Sequence, residues 1–445
     1  MIWWLAPLFI GLNLSLWSLF GLMRLADEAF RRWFRAAHLA SSPPRARKAG
    51  SSAGSRTPKR RRMRIEDVAV LMAAHNEEVV ITASLSRLAG MAPRANMYVV
   101  SDGSTDNTVG LARECGANVV ETPTNVGKAG ALAYAIDKFS LLSRYRAVMV
   151  LDADTQLDPR YFKVALPLLN DPQVVAVAGC AHTRWQKRLR FVGNVIVAHR
   201  SRIYAITQLL VKYGQTWRGV SATHIVPGFA SIYRTEVLKH IDINPPGLVI
   251  EDFNMTFELH AKQLGRIAFH PGARAYTQDP DRYRDYVNQT RRWALGLWQT
   301  VRRHRPKRSL FAASLSLTLL ELLTSSVMFL LLVPTIILLA LVDLAPGFTS
   351  VPVVGVIGEV VAAHLSFRDL GLGIFLPDYL LTCLVALWER RPRYLLAGLL
   401  FIPMKITDAV VTLSSLPHAW LDRSTGRWIS PTRRPEQAVQ GMKVA

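Results

Sequence analysis

The chain has 445 residues, 54 Lys and Arg against 32 Asp and Glu, half of its residues hydrophobic and a mean hydropathy of +0.17. A disordered polycation is not this apolar, and a purely soluble enzyme rarely combines such hydropathy with a net charge of +22. The two properties are segregated, and neither basic block carries base-stacking or groove-reading elements, which excludes a nucleic-acid binder. Residues 1–23 contain no charged side chain and are followed by Arg-rich sequence instead of a small-residue cleavage site, so they read as a transmembrane anchor. Residues 24–63 read as a basic cytosolic linker. Its stretch 41–62 is rich in Ser, Pro, Gly and Arg with no apolar period, and it suits a position near anionic headgroups. Residues 24–64 hold 13 Lys and Arg against Asp27 and Glu28, a net of +11.

From 64 to 280 the pattern is α/β. Short apolar strands at Val68–Met72, Met97–Val100 and Ala147–Leu151 alternate with helical stretches such as Lys128–Phe139. That alternation predicts a largely parallel sheet with helices on both faces and a ligand site beyond the carboxyl ends of the strands. Residues 281–308 then read as one or two amphipathic, basic, Trp-bearing helices suited to a membrane–water interface. Apolar runs return at 309–342, around 370–388 and at 394–416, giving a C-terminal transmembrane region of 309–416 and a basic cytosolic tail of 417–445. The run 394–416 carries Lys405 and Asp408, and basic segments flank it on both sides. Either it lies in the interface or re-enters, or 309–342 is two elements. Cys115, Cys180 and Cys383 are far apart and show no CxxC spacing, so they read as packing residues in a reducing compartment.

The chemistry sits at the ends of the apolar segments. The first strand runs into His75-Asn76-Glu77-Glu78, the second into Asp102-Gly103-Ser104-Thr105-Asp106, and the third into Asp152-Ala153-Asp154. A later segment gives Glu251-Asp252. One acid at a strand end caps a helix or a turn; four such sites in one α/β domain point to a common site. Asp152 and Asp154 can meet a hard divalent cation that shares oxygen ligands with a diphosphate. Lys128, at a helix start, is placed to meet phosphate. Glu251 and Asp252 complement a helix dipole or supply a general base. In Gln289-Thr290-Arg291-Arg292-Trp293, Arg292 suits phosphate and Trp293 offers a ring for a sugar, unless the segment is simply an interfacial anchor.

In their order along the chain these elements resemble the motifs of membrane-embedded family 2 glycosyltransferases, which include the cellulose, chitin, hyaluronan and poly-N-acetylglucosamine synthases. The resemblance covers residues 64–310. The tail Gly426-Arg427-Trp428 looks most like the poly-N-acetylglucosamine branch, while His75 stands where that branch commonly has an aromatic residue. The resemblance implies a Rossmann-like GT-A domain, facing the cytosol and inserted between N-terminal and C-terminal transmembrane helices, with amphipathic interface helices. It implies a multi-pass protein of the cell membrane and a metal-dependent hexosyltransferase. Asn76, Glu77 and Asp102 would meet the nucleoside, Lys128 the diphosphate, and Asp152 and Asp154 the metal and UDP, with Asp154 ligating Mg²⁺ or Mn²⁺. Asp252 would be the catalytic base. Gly228, Phe229, Glu251, Gln289, Arg292 and Trp293 would line the acceptor and diphosphate side, and Trp428 would belong to a gating segment. The implied partners are a UDP-sugar, a glycan or lipid acceptor, membrane lipids and an accessory membrane subunit. The implied reaction is inverting transfer from UDP-N-acetylglucosamine or UDP-glucose to a growing β-linked polysaccharide, with coupled export. The alternatives are transfer of one sugar to a membrane lipid, or an export subunit with a degenerate transferase domain.

Overall fold

A computed structural model describes residues 11–40, 61–186, 189–305, 307–345 and 347–421. Its α/β part is a single eight-stranded sheet built from β1 (Val68–Ala74), β2 (Met97–Ser101), β3 (Asn118–Glu121), β4 (Ala147–Asp152), β5 (Gln156–Leu157), β6 (Val174–Thr183), β7 (Ala230–Arg234) and β8 (Arg266–Thr277). The strand order is β3-β2-β1-β4-β7-β6-β8-β5. All seven residues of β1 are buried, and alternation along the strand divides them. Val68, Val70, Met72 and Ala74 enter the core on one face; Ala69, Leu71 and Ala73 enter the core on the other. This is why the strand reads as a continuous apolar run.

The expected parallel arrangement holds for β3, β2, β1 and β4 and then breaks, because β7 runs antiparallel to β4, with Leu151 opposite Ala230. β7 also pairs antiparallel with β6, whereas β6 and β8 are parallel. The reversal follows from connectivity: β6 leads into a long helical excursion, and the chain re-enters the sheet at the end where β6 left it. As a result the start of β7 lies beside the end of β4, and Asp152 N donates to Phe229 O at 3.1 Å. A purely parallel sheet would not bring these two chain ends together.

The helices that frame the site are α1 (Leu12–Ala40), α2 (Glu78–Ala89), α3 (Thr108–Glu114), α4 (Gly127–Lys138), α5 (Tyr161–Leu168), α6 (Phe191–Ile206), α7 (Glu251–Ala261) and α8 (Tyr283–His304). After them come α9 (Leu310–Leu344), α10 (Val354–His364), α11 (Phe367–Glu389) and α12 (Phe401–Leu421). α9 and α11 are the two described helices long and apolar enough to cross a membrane.

One helix end differs from the sequence expectation, and two open alternatives resolve to single helices. α1 does not stop at residue 23 but continues through the start of the expected linker. The pairs Arg24–Glu28 (2.8 Å) and Asp27–Arg31 (2.7 Å), each four residues apart, support that extension. Arg24 turns into the protein. Its guanidinium is buried and donates to Tyr213 O, Thr216 Oγ1 and Phe269 O at 2.9–3.0 Å, tying α1 to the sheet domain. Within 281–308, Tyr283–His304 forms one helix, and Leu310–Leu344 is likewise one helix. The run 394–416 is therefore the irregular one. It forms a short helix at Arg393–Gly398 and then α12, which lies along α8, where Trp298 Nε1 donates to Thr412 O at 3.4 Å and Arg302 to Ala419 O at 2.8 Å.

Candidate active site

The loops after β1 and β2 lock together. Asn76 takes a left-handed φ of 55°, accepts from Thr105 N at 2.8 Å on its side-chain oxygen and donates its own N–H to Ser104 Oγ at 3.1 Å. Glu77 is buried, donates its N–H to Thr108 Oγ1 at 2.8 Å and opens α2 with its carbonyl. Asp102 is fully buried. One oxygen accepts from Val126 N (2.8 Å) and Thr122 Oγ1 (2.9 Å), the other from Gly127 N (2.9 Å). A carboxylate on these first amides satisfies donors the helix cannot, and it complements the dipole. Expected at the nucleoside, Asp102 has both oxygens engaged by its own chain, where it fixes the start of α4. Gly103 takes φ +62°, and a Cβ there would stand 2.9 Å from Asn125 N, so this turn needs glycine.

Fixing the start of α4 places Lys128. Its Nζ lies 2.7 Å from Asp152 Oδ1 at the end of β4, 2.9 Å from Glu251 Oε1 at the start of α7, and 3.2 Å from Gly228 O before β7. Gly228 N donates to Asp252 Oδ2 at 3.3 Å, and Phe253 N to Asp252 Oδ1 at 2.7 Å. A Cβ on Gly228 would lie 2.8 Å from Glu251 Oε1 and 3.0 Å from Lys128 Nζ. A side chain at 228 would therefore push the ends of Glu251 and Lys128 out of this arrangement.

The two neighbouring acids of α7 are driven apart. Burial alone would raise Glu251, but the Lys128 ammonium holds it below the usual glutamate range. Asp252 is pushed up to about 7, by burial first and the Glu251 charge second. Burial, and after it Asp154 and Glu251, raise Asp152 against the pull of Lys128.

α8 closes the other side. Gly296 packs on Ile250, and Gln299 Oε1 accepts from Val249 N at 3.1 Å, which braces the helix on the residues just before the acid pair. One turn earlier, the Trp293 ring centroid lies 4.3 Å from the Arg200 guanidinium and 6.5 Å from the Tyr204 ring. Tyr204 OH donates to Asp279 at 3.0 Å; burial raises Asp279 to about 6, and the charge of Asp154 adds to that rise. Arg200, Tyr204 and Asp279 were not singled out from sequence. The available signal was the string His199-Arg200-Ser201-Arg202, buried within an otherwise apolar stretch of α6. Buried Nε of Arg292 and Oε1 of Gln289 have no hydrogen-bond partner among the described residues. Phe229 is partly buried against the core. Trp428 lies outside the described residues.

No group of three or more His, Cys, Asp or Glu among the described residues forms a metal cage. What β4 offers is two carboxylates two residues apart, Asp152 paired with Lys128 and Asp154 buried. That donor set fits a hard cation that takes one or two carboxylates and completes its shell with phosphate oxygens.

The loops after β1 and β2 and the start of α4 thus stand on one side of this cluster, and the acid pair that opens α7 stands on the other. The family model Glycosyltransferase like family 2 matches residues 66–296, half of the chain, and the chain belongs to that family. It is 26% identical over 252 residues to a poly-beta-1,6-N-acetyl-D-glucosamine synthase of Staphylococcus epidermidis, covering 54% of this chain and 58% of the relative. To the synthase of the same name from Staphylococcus aureus strain COL it is 27% identical over 239 residues, covering 52% and 55%. The match thus spans little more than half the length of these relatives. Among solved structures, a mannosyltransferase from Pyrobaculum calidifontis in complex with GDP-Man and Mn²⁺ aligns with 89% of this chain and 99% of its own, at 19% identity and a TM-score of 0.45.

Proposed function

We propose that the chain is a membrane-docked inverting glycosyltransferase. It moves a sugar from a UDP-sugar, UDP-N-acetylglucosamine or UDP-glucose, onto a growing β-linked polysaccharide. The observation that carries this reading is the divided acid pair: Glu251 is held ionised against Lys128, while Asp252 is pushed to about 7, the value a general base needs near neutral pH. Asp252 takes the proton of an acceptor hydroxyl. That oxygen attacks the anomeric carbon opposite the donor's bond, and the electron pair of the broken C–O bond leaves with UDP. Lys128 and Arg292 supply positive charge for the departing diphosphate. A Mg²⁺ or Mn²⁺ held by Asp154, with Asp152 beside it, would supply further charge neutralisation there. Trp293 offers the acceptor sugar an aromatic face.

The names of the relatives support polymer synthesis, and α9 and α11 support a membrane location, with Leu320, Leu331, Leu384 and Leu387 among their exposed apolar residues. A mostly apolar cavity of about 360 Å³ between α1, α6, α9, α11 and α12, with Arg202, Glu321, Asp378, Lys405 and Asp408 on its wall, offers space beside these helices for a product. The test is a donor panel on purified protein in lipid, with and without Mn²⁺, reading UDP release and product length. A ladder of polymers supports the reading; a single glycolipid would replace polymer synthesis with one-sugar transfer. Absence of UDP release from every donor would sink the enzymatic reading.

A further inference from the structure

α12 is largely apolar, yet it carries Asp408. That carboxylate accepts from Tyr286 OH of α8 at 2.6 Å and pairs with His199 Nε2 of α6 at 3.0 Å. The Tyr286 ring faces the Arg200 guanidinium at 4.5 Å from its centroid, and the same guanidinium lies 4.3 Å from the centroid of Trp293. Arg200 also donates to Thr290 Oγ1 at 2.9 Å, inside the 289–293 segment. His199, Arg200 and Tyr286 are 1%, 2% and 0% exposed, and Val195, Ile196, Ala198, Phe401 and Met404 form the apolar surround. In such a setting hydrogen bonds and cation–ring contacts hold geometry firmly. Buried Nε of Arg200, like Nε of Arg292 and Oε1 of Gln289, has no partner among the described residues, so this seam keeps polar capacity in reserve.

Docking of α6 on the apolar helices has its own anchor. Arg202 donates to Asp378 O at 2.9 Å and pairs with the Asp378 carboxylate at 2.5 Å, and Lys405 pairs with the same carboxylate. Asp408 is thus not the only polar tie between these helices.

We propose that Asp408 is a positioning residue for acceptor recognition. Through Tyr286 it holds Arg200 against Trp293, and this fixes the ring that receives the acceptor sugar. The inference rests on the reading that Trp293 meets the acceptor. In that reading the donor is held by Lys128, Arg292, Asp152 and Asp154, none of which is itself a partner in the Asp408, Tyr286, Arg200 and Trp293 contacts.

The test uses the full chain in lipid nanodiscs with UDP-N-acetylglucosamine and Mn²⁺, measuring UDP affinity by nucleotide titration beside sugar incorporated as the concentration of an N-acetylglucosamine oligosaccharide acceptor is varied. In Asp408→Asn, Tyr286→Phe and Arg200→Lys, UDP affinity stays within about twofold of wild type while the acceptor concentration for half-maximal incorporation rises about tenfold, because the acceptor and not the donor is misplaced. Asp408→Glu, which keeps a carboxylate for Tyr286, restores acceptor affinity in part. Tyr286→Phe removes a single hydroxyl and serves as the variant least able to disturb folding. A fall of UDP affinity in step with incorporation in that variant, or no change in acceptor dependence, overturns the proposal. Absence of UDP release by the wild type with this and every other UDP-sugar overturns the underlying function instead.

Discussion

The two halves of the site are built on opposite terms. On the side of β1, β2 and α4, the acid and amide side chains are engaged: Asn76 and Asp102 spend their oxygens on backbone and hydroxyl donors of neighbouring loops. On the side of β4, β7, α7 and α8, charges crowd together. Lys128 serves two carboxylates, Asp252 is pushed to about 7, and Gln289 and Arg292 keep buried atoms without partners among the described residues. In the function we propose, the first half is the mould and the second holds the groups whose free energy would change when substrate arrives. Satisfied polar groups confer shape; displaced pKa values and unfilled hydrogen bonds mark the place of reaction.

That contrast can be broken by substitution. Asp252→Asn should have the largest effect, a loss of transfer of about a thousandfold with UDP affinity retained, measured by product formation beside nucleotide titration. Near-normal turnover would remove Asp252 from the role of base. Gly228→Ala should come next, with about a hundredfold loss, because its Cβ pushes on Glu251 and Lys128 while the fold survives. Full activity in that variant would show the cluster to be looser than its distances imply. Asp102→Ala should act mainly on stability, at a cost of about 3 kcal/mol from a buried carboxylate that serves three donors, read as a lower unfolding midpoint in denaturant. If it instead left stability unchanged and abolished nucleotide binding, the mould would be a binding surface.

The strands and strand-end acids were legible because both are local. Buried strands read as short apolar runs, and the loops that follow them must carry polar residues. The order of the motifs then carried the fold and the family. What was not legible depends on partners far apart in sequence. The engagement of Asp102 needs the amides of residues 126 and 127, and the continuation of α1 is completed by Arg24 contacts nearly 200 and 250 residues away. The antiparallel entry of β7 is a property of the path between β6 and β7. Arg200 and Tyr204 were hidden because a charged or polar residue in an apolar helix reads as a flaw in the pattern until its partners on α8 are known.

The central claim is that the crowded half holds a base whose affinity for its proton lies near neutrality, and the pH dependence of transfer at saturating donor tests it most directly. A carboxyl raised to about 7 is protonated and inactive below that value, so the rate should fall about tenfold per unit as pH drops below about 7 and level off above it. A rate that stays flat down to pH values near the ordinary aspartate range, about 4, would contradict the account.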